Sequence, residues 1–330
     1  MNAQYGMQEL DLESRMGGLG VETERRVPRI DLTDREERRE EITDQLWRAA
    51  TEIGFFQLVG HPIPQHLVDA AFARAAEFFA LPEETKAALP LDKPNNVGWE
   101  FSSQVRPSVG TPDQKESFQI TRPHMTGLWP QEQQLPGFRD FILDFESQCW
   151  ELAMWVLSCF ADRLGFDREF FTRAHDPESD QYQSTLRLIH YYALPDELRG
   201  APGTWRAGAH TDFDCLTLLF QRNGQGGLQV CPGREADAQE WTPVVPSDTA
   251  ITCNIGDMLM RWSDDQLLST FHRVRVPGAG EYAGPRYSIP FFAQANRDVV
   301  IDPPAGTYPP ITAAEYLRQR VAANYAGPRA

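Results

Sequence analysis

TLRLIHYYAL (185–194), CLTLLFQ (215–221), GLQVCP (227–232), TAITCNIGD (249–257), MLMRW (258–262), STFHRVRVP (269–277) and RYSIPFFAQ (286–294) are short apolar runs, rich in β-branched and aromatic residues and separated by turn residues. Roughly eight such strands within about 115 residues predict a sandwich or barrel of the jelly-roll kind. Upstream of this stretch the period changes to a helical one, so the fold class is α+β, a double-stranded β-helix (jelly-roll) core with flanking helices.

Working outward, residues 138–166 carry Phe141, Phe145, Trp150, Leu152, Met154, Trp155 and Leu157 on more than one face, which predicts a long helix packed as a central support for the sheet. Gln65–Phe79 repeats the helical spacing through Leu67, Ala71, Ala75 and Phe78, and residues 34–51 repeat it through Ile42, Leu46 and Ala49 after a cap at Thr33. FFQLVG (55–60) reads as a buried strand. Residues 92–134, rich in Pro, Gly, Gln and Ser, read as loops around a site, with brief strand-like pieces such as ESFQI. Residues 312–324 return to helix. Residues 1–26 read as a loose N-terminal arm. No Pro- or Gly-rich linker divides the remainder, which reads as one unit over 27–330: a mainly helical part (27–183), the jelly-roll core (184–300) and a C-terminal helix (301–330).

The balance of 31 Lys plus Arg against 47 Asp plus Glu gives a net charge of −16, which repels phosphate backbones and anionic membranes and argues against a nucleic-acid partner. Five cysteines without C-x-x-C spacing suggest neither a disulfide framework nor a thiolate zinc site. No apolar run approaches the roughly 18 residues of a membrane span, and the polar start lacks a signal-peptide core. A cytoplasmic protein without membrane partners is expected.

The sharpest chemical constellation is His210-Thr211-Asp212, where spacing by two in an extended segment aims both side chains to one face, with His272 60 residues after Asp212. Two imidazoles and a carboxylate form the facial triad of non-haem iron(II), which keeps metal positions open. Seven histidines produce an H-x-D by chance in roughly a third to a half of such chains, so the motif alone is weak. Arg286-Tyr287-Ser288 strengthens it, because a guanidinium and a hydroxyl on one strand face suit a carboxylate, and an arginine in so apolar a strand is costly to bury unless an anion meets it. His61, His66, His124 and His175 have no second ligand nearby in sequence and read as surface or capping residues, while His190 is left open. GQGG (224–227) reads as a hairpin turn, not a phosphate loop.

With these motifs in hand, the chain resembles the iron(II)/2-oxoglutarate-dependent dioxygenases of the isopenicillin N synthase-like family. The resemblance spans VPRIDL (27–32), FFQLVGH (55–61), FFALPEETK (78–86), LRLIHYY (186–192), AGAHTDFDCLTLLFQ (207–221), NIGDMLMRWSDDQLLSTFHRV (254–274) and PRYSIPFF (285–292), and within the family it is greatest to thymine 7-hydroxylases. It implies His210, Asp212 and His272 on Fe(II), with Arg286 and Ser288 on the distal carboxylate of 2-oxoglutarate. The family's Tyr-Pro after this strand reads Tyr191-Tyr192 here, and strand alternation assigns Tyr191 to the co-substrate. The implied activity is oxidation, usually hydroxylation, of a small molecule with O2, releasing succinate and CO2.

Matching the thymine hydroxylase pattern, Phe213, Phe292, Arg187 and Asn96 are the substrate-binding candidates: two aromatic faces and a planar donor suit a flat, polar ring. Sheet core explains the two phenylalanines as well, and an internal carboxylate would satisfy Arg187 as well as a substrate. Two other functions remain open in the sequence, an isopenicillin N synthase-like oxidase that uses no 2-oxoglutarate and a non-catalytic small-molecule binding protein on the same scaffold.

Overall fold

The computed structural model describes residues 15–16, 18–101, 114–194, 205–232, 235–278 and 280–325, with side chains described up to 321. Two sheets face each other. The larger is built from β2 (Arg29–Asp31), β3 (Phe55–Val59), β4 (Gly98–Phe101), β5 (Lys115–Ile120), β6 (Thr185–Tyr191), β8 (Leu216–Phe220), β11 (Ile251–Ile255) and β13 (Arg286–Ala293), in the order β2-β3-β11-β8-β13-β6-β5-β4. The smaller contains β1 (Val21–Glu22), β7 (Trp205–His210), β9 (Leu228–Cys231), β10 (Glu240–Pro243) and β12 (Phe271–Arg275), in the order β1-β10-β9-β12-β7. Strands between 185 and 293 alternate between the sheets except for β9 and β10, which pair with each other in the smaller one, an arrangement that fits the jelly-roll expectation.

Helices cover the outer face of the large sheet. α1 (Arg39–Glu52), α2 (Gln65–Phe79), α3 (Glu83–Ala87), α4 (Phe138–Leu164) and α5 (Phe170–Ala174) precede β6, and α6 (Asp257–Trp262) follows β11. After β13 come β14 (Val300–Ile301), β15 (Ile311–Thr312) and α7 (Ala313–Tyr325). α4 is bounded by Gly137 and Gly165, both in the left-handed region, and buries Phe138, Ile142, Phe145, Cys149, Leu152 and Val156. Its apolar face joins that of α2 and the outer side chains Phe118, Leu186, Leu218 and Phe291 in one core. A second apolar cluster lies between the sheets, with Phe55, Ile189, Tyr191, Ala207, Val230 and Val274.

Several sequence expectations are corrected. α1 begins at Arg39, not 34, because Thr33 turns its N–H and hydroxyl onto Asp31 instead of capping, and Asp34 adopts a left-handed φ of 53°. MLMRW is not a strand but most of α6; Gly256 before it fits because a Cβ there would meet the Asp214 carbonyl oxygen at 2.2 Å, closer than any side chain allows. The GQGG turn makes no hairpin, since β8 and β9 lie in different sheets. Within 92–134, β4 and β5 form a hairpin that extends the large sheet. The described part of the expected loose arm is strapped to the small sheet: β1 pairs with β10, Met16 packs in a cluster with Trp241, and Arg273 donates to the carbonyls of Gly18 and Leu19 at 2.7 and 2.6 Å. The strap follows from burying Arg273, whose guanidinium needs acceptors. Residues 1–14 lie outside the described residues.

Candidate iron and 2-oxoglutarate site

β7 and β12 are hydrogen-bonded neighbours with His210 directly opposite His272, and their ring centroids are 4.2 Å apart. Nδ1 of His210 lies 2.8 Å from the Gly208 carbonyl oxygen, and Nδ1 of His272 lies 3.2 Å from that of Thr270. A carbonyl only accepts, so each Nδ1 carries the proton and each Nε2 carries the lone pair that binds a metal. Phe55 packs edge-on against the His272 ring at 5.4 Å, which fixes its plane.

Asp212 stands beyond the end of β7, on the loop to β8, so strand alternation is not what aims it. Its Oδ2 accepts from Thr217 Oγ1 at 2.6 Å and Asn254 Nδ2 at 2.9 Å, and its backbone carbonyl accepts from Asp257 N at 2.8 Å. Oδ1 is thereby turned to the imidazoles, 4.0 Å from His210 Nε2 and 3.6 Å from His272 Nε2. One ligand atom from each of the three residues lies within 4.8 Å of the others. Burial and the neighbouring Asp212 raise the Asp214 carboxyl well above its usual range. Thr217 Oγ1 reaches both acids, Asp212 Oδ2 at 2.6 Å and Asp214 Oδ2 at 2.9 Å, with one proton to give.

Arg286 pairs with Tyr191 and Ser288 with Ile189 across β13 and β6. The Arg286 guanidinium sits 4.8 Å from the Tyr191 ring centroid, and Arg286 and Ser288 are buried. Tyr192 instead packs on His190 and Phe101. Arg286 Nε donates to the Gln225 carbonyl at 3.1 Å, while Nη1 is buried without a partner.

Of the four substrate candidates, the structure brings three together. Arg187 lies over the Phe292 ring at 5.1 Å, and its Nη2 donates to Asn96 Oδ1 at 3.3 Å. Asn96 in turn donates to Thr185 Oγ1 at 3.2 Å. Phe213 belongs to another contact, under the Arg320 guanidinium at 4.7 Å.

Residues 27–136 match the family model of the non-haem dioxygenase in morphine synthesis N-terminal region, and residues 182–295 match that of the 2OG-Fe(II) oxygenase superfamily. A proline hydroxylase of Petromyces alliaceus is 35% identical over 292 residues, 83% of this chain and 89% of that protein. The chain belongs to the 2OG-Fe(II) oxygenase superfamily. A 2-oxoglutarate-Fe(II) type oxidoreductase of Emericella nidulans is 32% identical over 86% of this chain and 85% of its own length. Among solved structures, Neurospora crassa thymine 7-hydroxylase in complex with 2-oxoglutarate matches with a TM-score of 0.80 at 32% identity, over 90% of this chain and 96% of that one.

This oxygenase is therefore an iron(II)- and 2-oxoglutarate-dependent dioxygenase that oxidises a small organic molecule, with Fe(II) as cofactor and 2-oxoglutarate as co-substrate. Its residues fit both groups: a His-Asp-His set suits iron(II), and a buried guanidinium with an unsatisfied N–H suits a carboxylate. No described helix is long and apolar enough to cross a membrane.

Sequence reasoning missed several residues. Asn254 and Thr217 orient Asp212, and their signal was a polar side chain inside an apolar strand. Arg206 is buried on β7. Glu100 and Gln119 are buried on β4 and β5, with Gln119 Nε2 donating to Glu100 Oε2 at 2.8 Å and Gln119 directly opposite Arg187. His175 caps the end of α5, one of the two readings made of it, but is fully buried there, with Nδ1 at 2.7 Å from the Phe171 carbonyl. His190 pairs with Glu116 at 2.9 Å and stacks on Tyr287, away from the triad.

Proposed function

We propose that His210, Asp212 and His272 hold the iron, that Arg286, Ser288 and Tyr191 receive 2-oxoglutarate, and that Arg187, Asn96 and Phe292 contact the prime substrate. The observation that carries the reading is the convergence of two Nε2 atoms and Asp212 Oδ1, with each imidazole's other nitrogen committed to a backbone carbonyl. Bound iron and 2-oxoglutarate together supply the oxidising power, with succinate and CO2 as co-products. The chain's own residues do the rest: carbonyls fix the imidazole tautomers, Thr217 and Asn254 aim the carboxylate, and Arg286 fixes the far end of the co-substrate.

The prime substrate on this reading is a small molecule with a flat or apolar face for Phe292 and a carbonyl or carboxylate toward Arg187. The neighbour crystallised with thymine and the relative named a proline hydroxylase support two candidate classes, pyrimidines and cyclic amino acids. Phe213 is retained as a weaker candidate because its ring faces Arg320. The test is substrate-stimulated succinate release across pyrimidines, other flat heterocycles and amino acids; stimulation by none of them, with iron and 2-oxoglutarate bound, would remove this substrate reading. We also read 27–330 as one unit, which the sharing of a sheet by β2 to β5 with the jelly-roll strands supports, and the protein as cytoplasmic, which five buried, unpaired cysteines support.

A further inference from the structure

Two guanidiniums, one on β7 and one on β13, are buried on strands of the two different sheets. Arg206 is 2% exposed and Arg286 is 1% exposed. Arg206 Nη2 donates to the carbonyl of Gly284 at 2.9 Å, two residues before Arg286 in the chain. Arg286 Nε donates to the Gln225 carbonyl, so each arginine is held at one edge by a neutral backbone oxygen. Arg206 Nε and Arg286 Nη1 are buried without partners, and among the described residues no carboxylate pairs with either side chain. Burial lowers the Arg206 pKa to about 10, with the Arg286 charge adding to the effect, and burial lowers Arg286 as well.

Other guanidiniums among the described residues meet a carboxylate or are closed in by carbonyls and rings. Arg320 meets Asp257, Arg122 meets Glu146, and Arg273 is enclosed by the carbonyls of Gly18 and Leu19 and the rings of Trp205 and Trp241. Two like charges placed together without an anion oppose folding, and such a pair is retained where a ligand supplies the missing charge. One carboxylate has lone pairs enough for two guanidinium forks.

We propose that Arg206 is a second cationic anchor for the co-substrate, closing with Arg286 on the distal carboxylate of 2-oxoglutarate. The inference rests on the reading that Arg286 receives that carboxylate. It makes the site selective for dicarboxylic 2-oxo acids, because a co-substrate without the distal charge leaves two buried cations unanswered.

The test is anaerobic calorimetric titration of 2-oxoglutarate, and of 2-oxovalerate, which has the same chain length without the distal carboxylate, into iron(II)-loaded protein. Arg206→Met is expected to weaken 2-oxoglutarate at least about tenfold while leaving 2-oxovalerate within about twofold. Arg206→Lys is expected to recover part of the loss. Unchanged 2-oxoglutarate binding in Arg206→Met, or equal weakening of both acids, overturns the proposal. Arg286→Met separates the two readings: if it alone loses 2-oxoglutarate, only the role of Arg206 fails, and if it too binds normally, the assignment of Arg286 fails. Should Arg206→Met not fold, Arg206→Lys decides, with a loss of about threefold or more confined to 2-oxoglutarate expected, and no loss, or one shared by both acids, overturning the proposal.

Discussion

The guanidinium of Arg320, on the C-terminal helix α7, meets the Asp257 carboxylate at 2.5 Å with neither side chain exposed. Asp257 also accepts from Thr211 Oγ1 at 3.0 Å, and its backbone N–H holds the Asp212 carbonyl. The C-terminal helix is thus attached, through this ion pair and an Arg320 Nη2 bond to Thr211 Oγ1 at 3.0 Å, to the chain neighbour of Asp212 and to the residue that holds its carbonyl. Breaking such a pair leaves an uncompensated buried charge. Arg320→Met is therefore expected to lose about 3–5 kcal/mol of stability in urea unfolding, and Arg320→Met with Asp257→Leu to lose less than Arg320→Met alone. Equal stability of Arg320→Met and wild type would contradict the pairing.

His210→Ala, Asp212→Ala and His272→Ala are each expected to abolish turnover and lower bound iron, measured together by elemental analysis and oxygen uptake. His66→Ala, on an exposed position of α2, is expected to remain near wild type. Thr217→Val and Asn254→Leu are expected to weaken iron less than loss of a ligand does, by about 10- to 100-fold, because they only orient Asp212.

His175 gives a pH prediction. Its imidazole is fully buried and its pKa is pushed down from 6.5 to about 4 by that burial. The unfolded chain takes up a proton near pH 6.5 whereas the folded chain resists until about 4, so stability is fully present above 6.5 and falls as pH drops through this window. The expected contribution is about 3 kcal/mol. Urea midpoints of wild type and His175→Asn from pH 7 to 4 isolate it from the carboxylates, and parallel curves would refute it.

Phe292→Ala is expected to cost about 1–3 kcal/mol of substrate affinity, the scale of a lost aromatic contact, with iron affinity unmoved. Arg187→Ala is expected to do comparable harm only with substrates that present a carbonyl or carboxylate, so analogues lacking that group should bind both forms alike.

The alternation of apolar runs made most of the sheet strands legible in the sequence, MLMRW excepted, because a period of two is imposed directly by the pleat. Gln65–Phe79 was legible to the residue, since its apolar face and flanking prolines agree. Side chains whose aim depends on local irregularity were not. β7 shifts register against β12 between His272 and Val274 and again between Val274 and Arg275, and such bulges re-aim side chains, so Arg206 could not be placed by counting. The same limit applies to Asp212, whose direction comes from Thr217, Asn254 and Asp257, each distant in the chain or on another element.

The most direct test is anaerobic titration of 2-oxoglutarate into iron(II)-loaded protein, followed by the visible charge-transfer absorption that a 2-oxo acid chelated to iron(II) produces. The expected result is a band that saturates at one iron and one 2-oxoglutarate per chain and that is lost in Asp212→Ala. A wild-type protein that binds iron stoichiometrically yet shows no band, or an Asp212→Ala variant that keeps both iron and band, would contradict the assignment of the site.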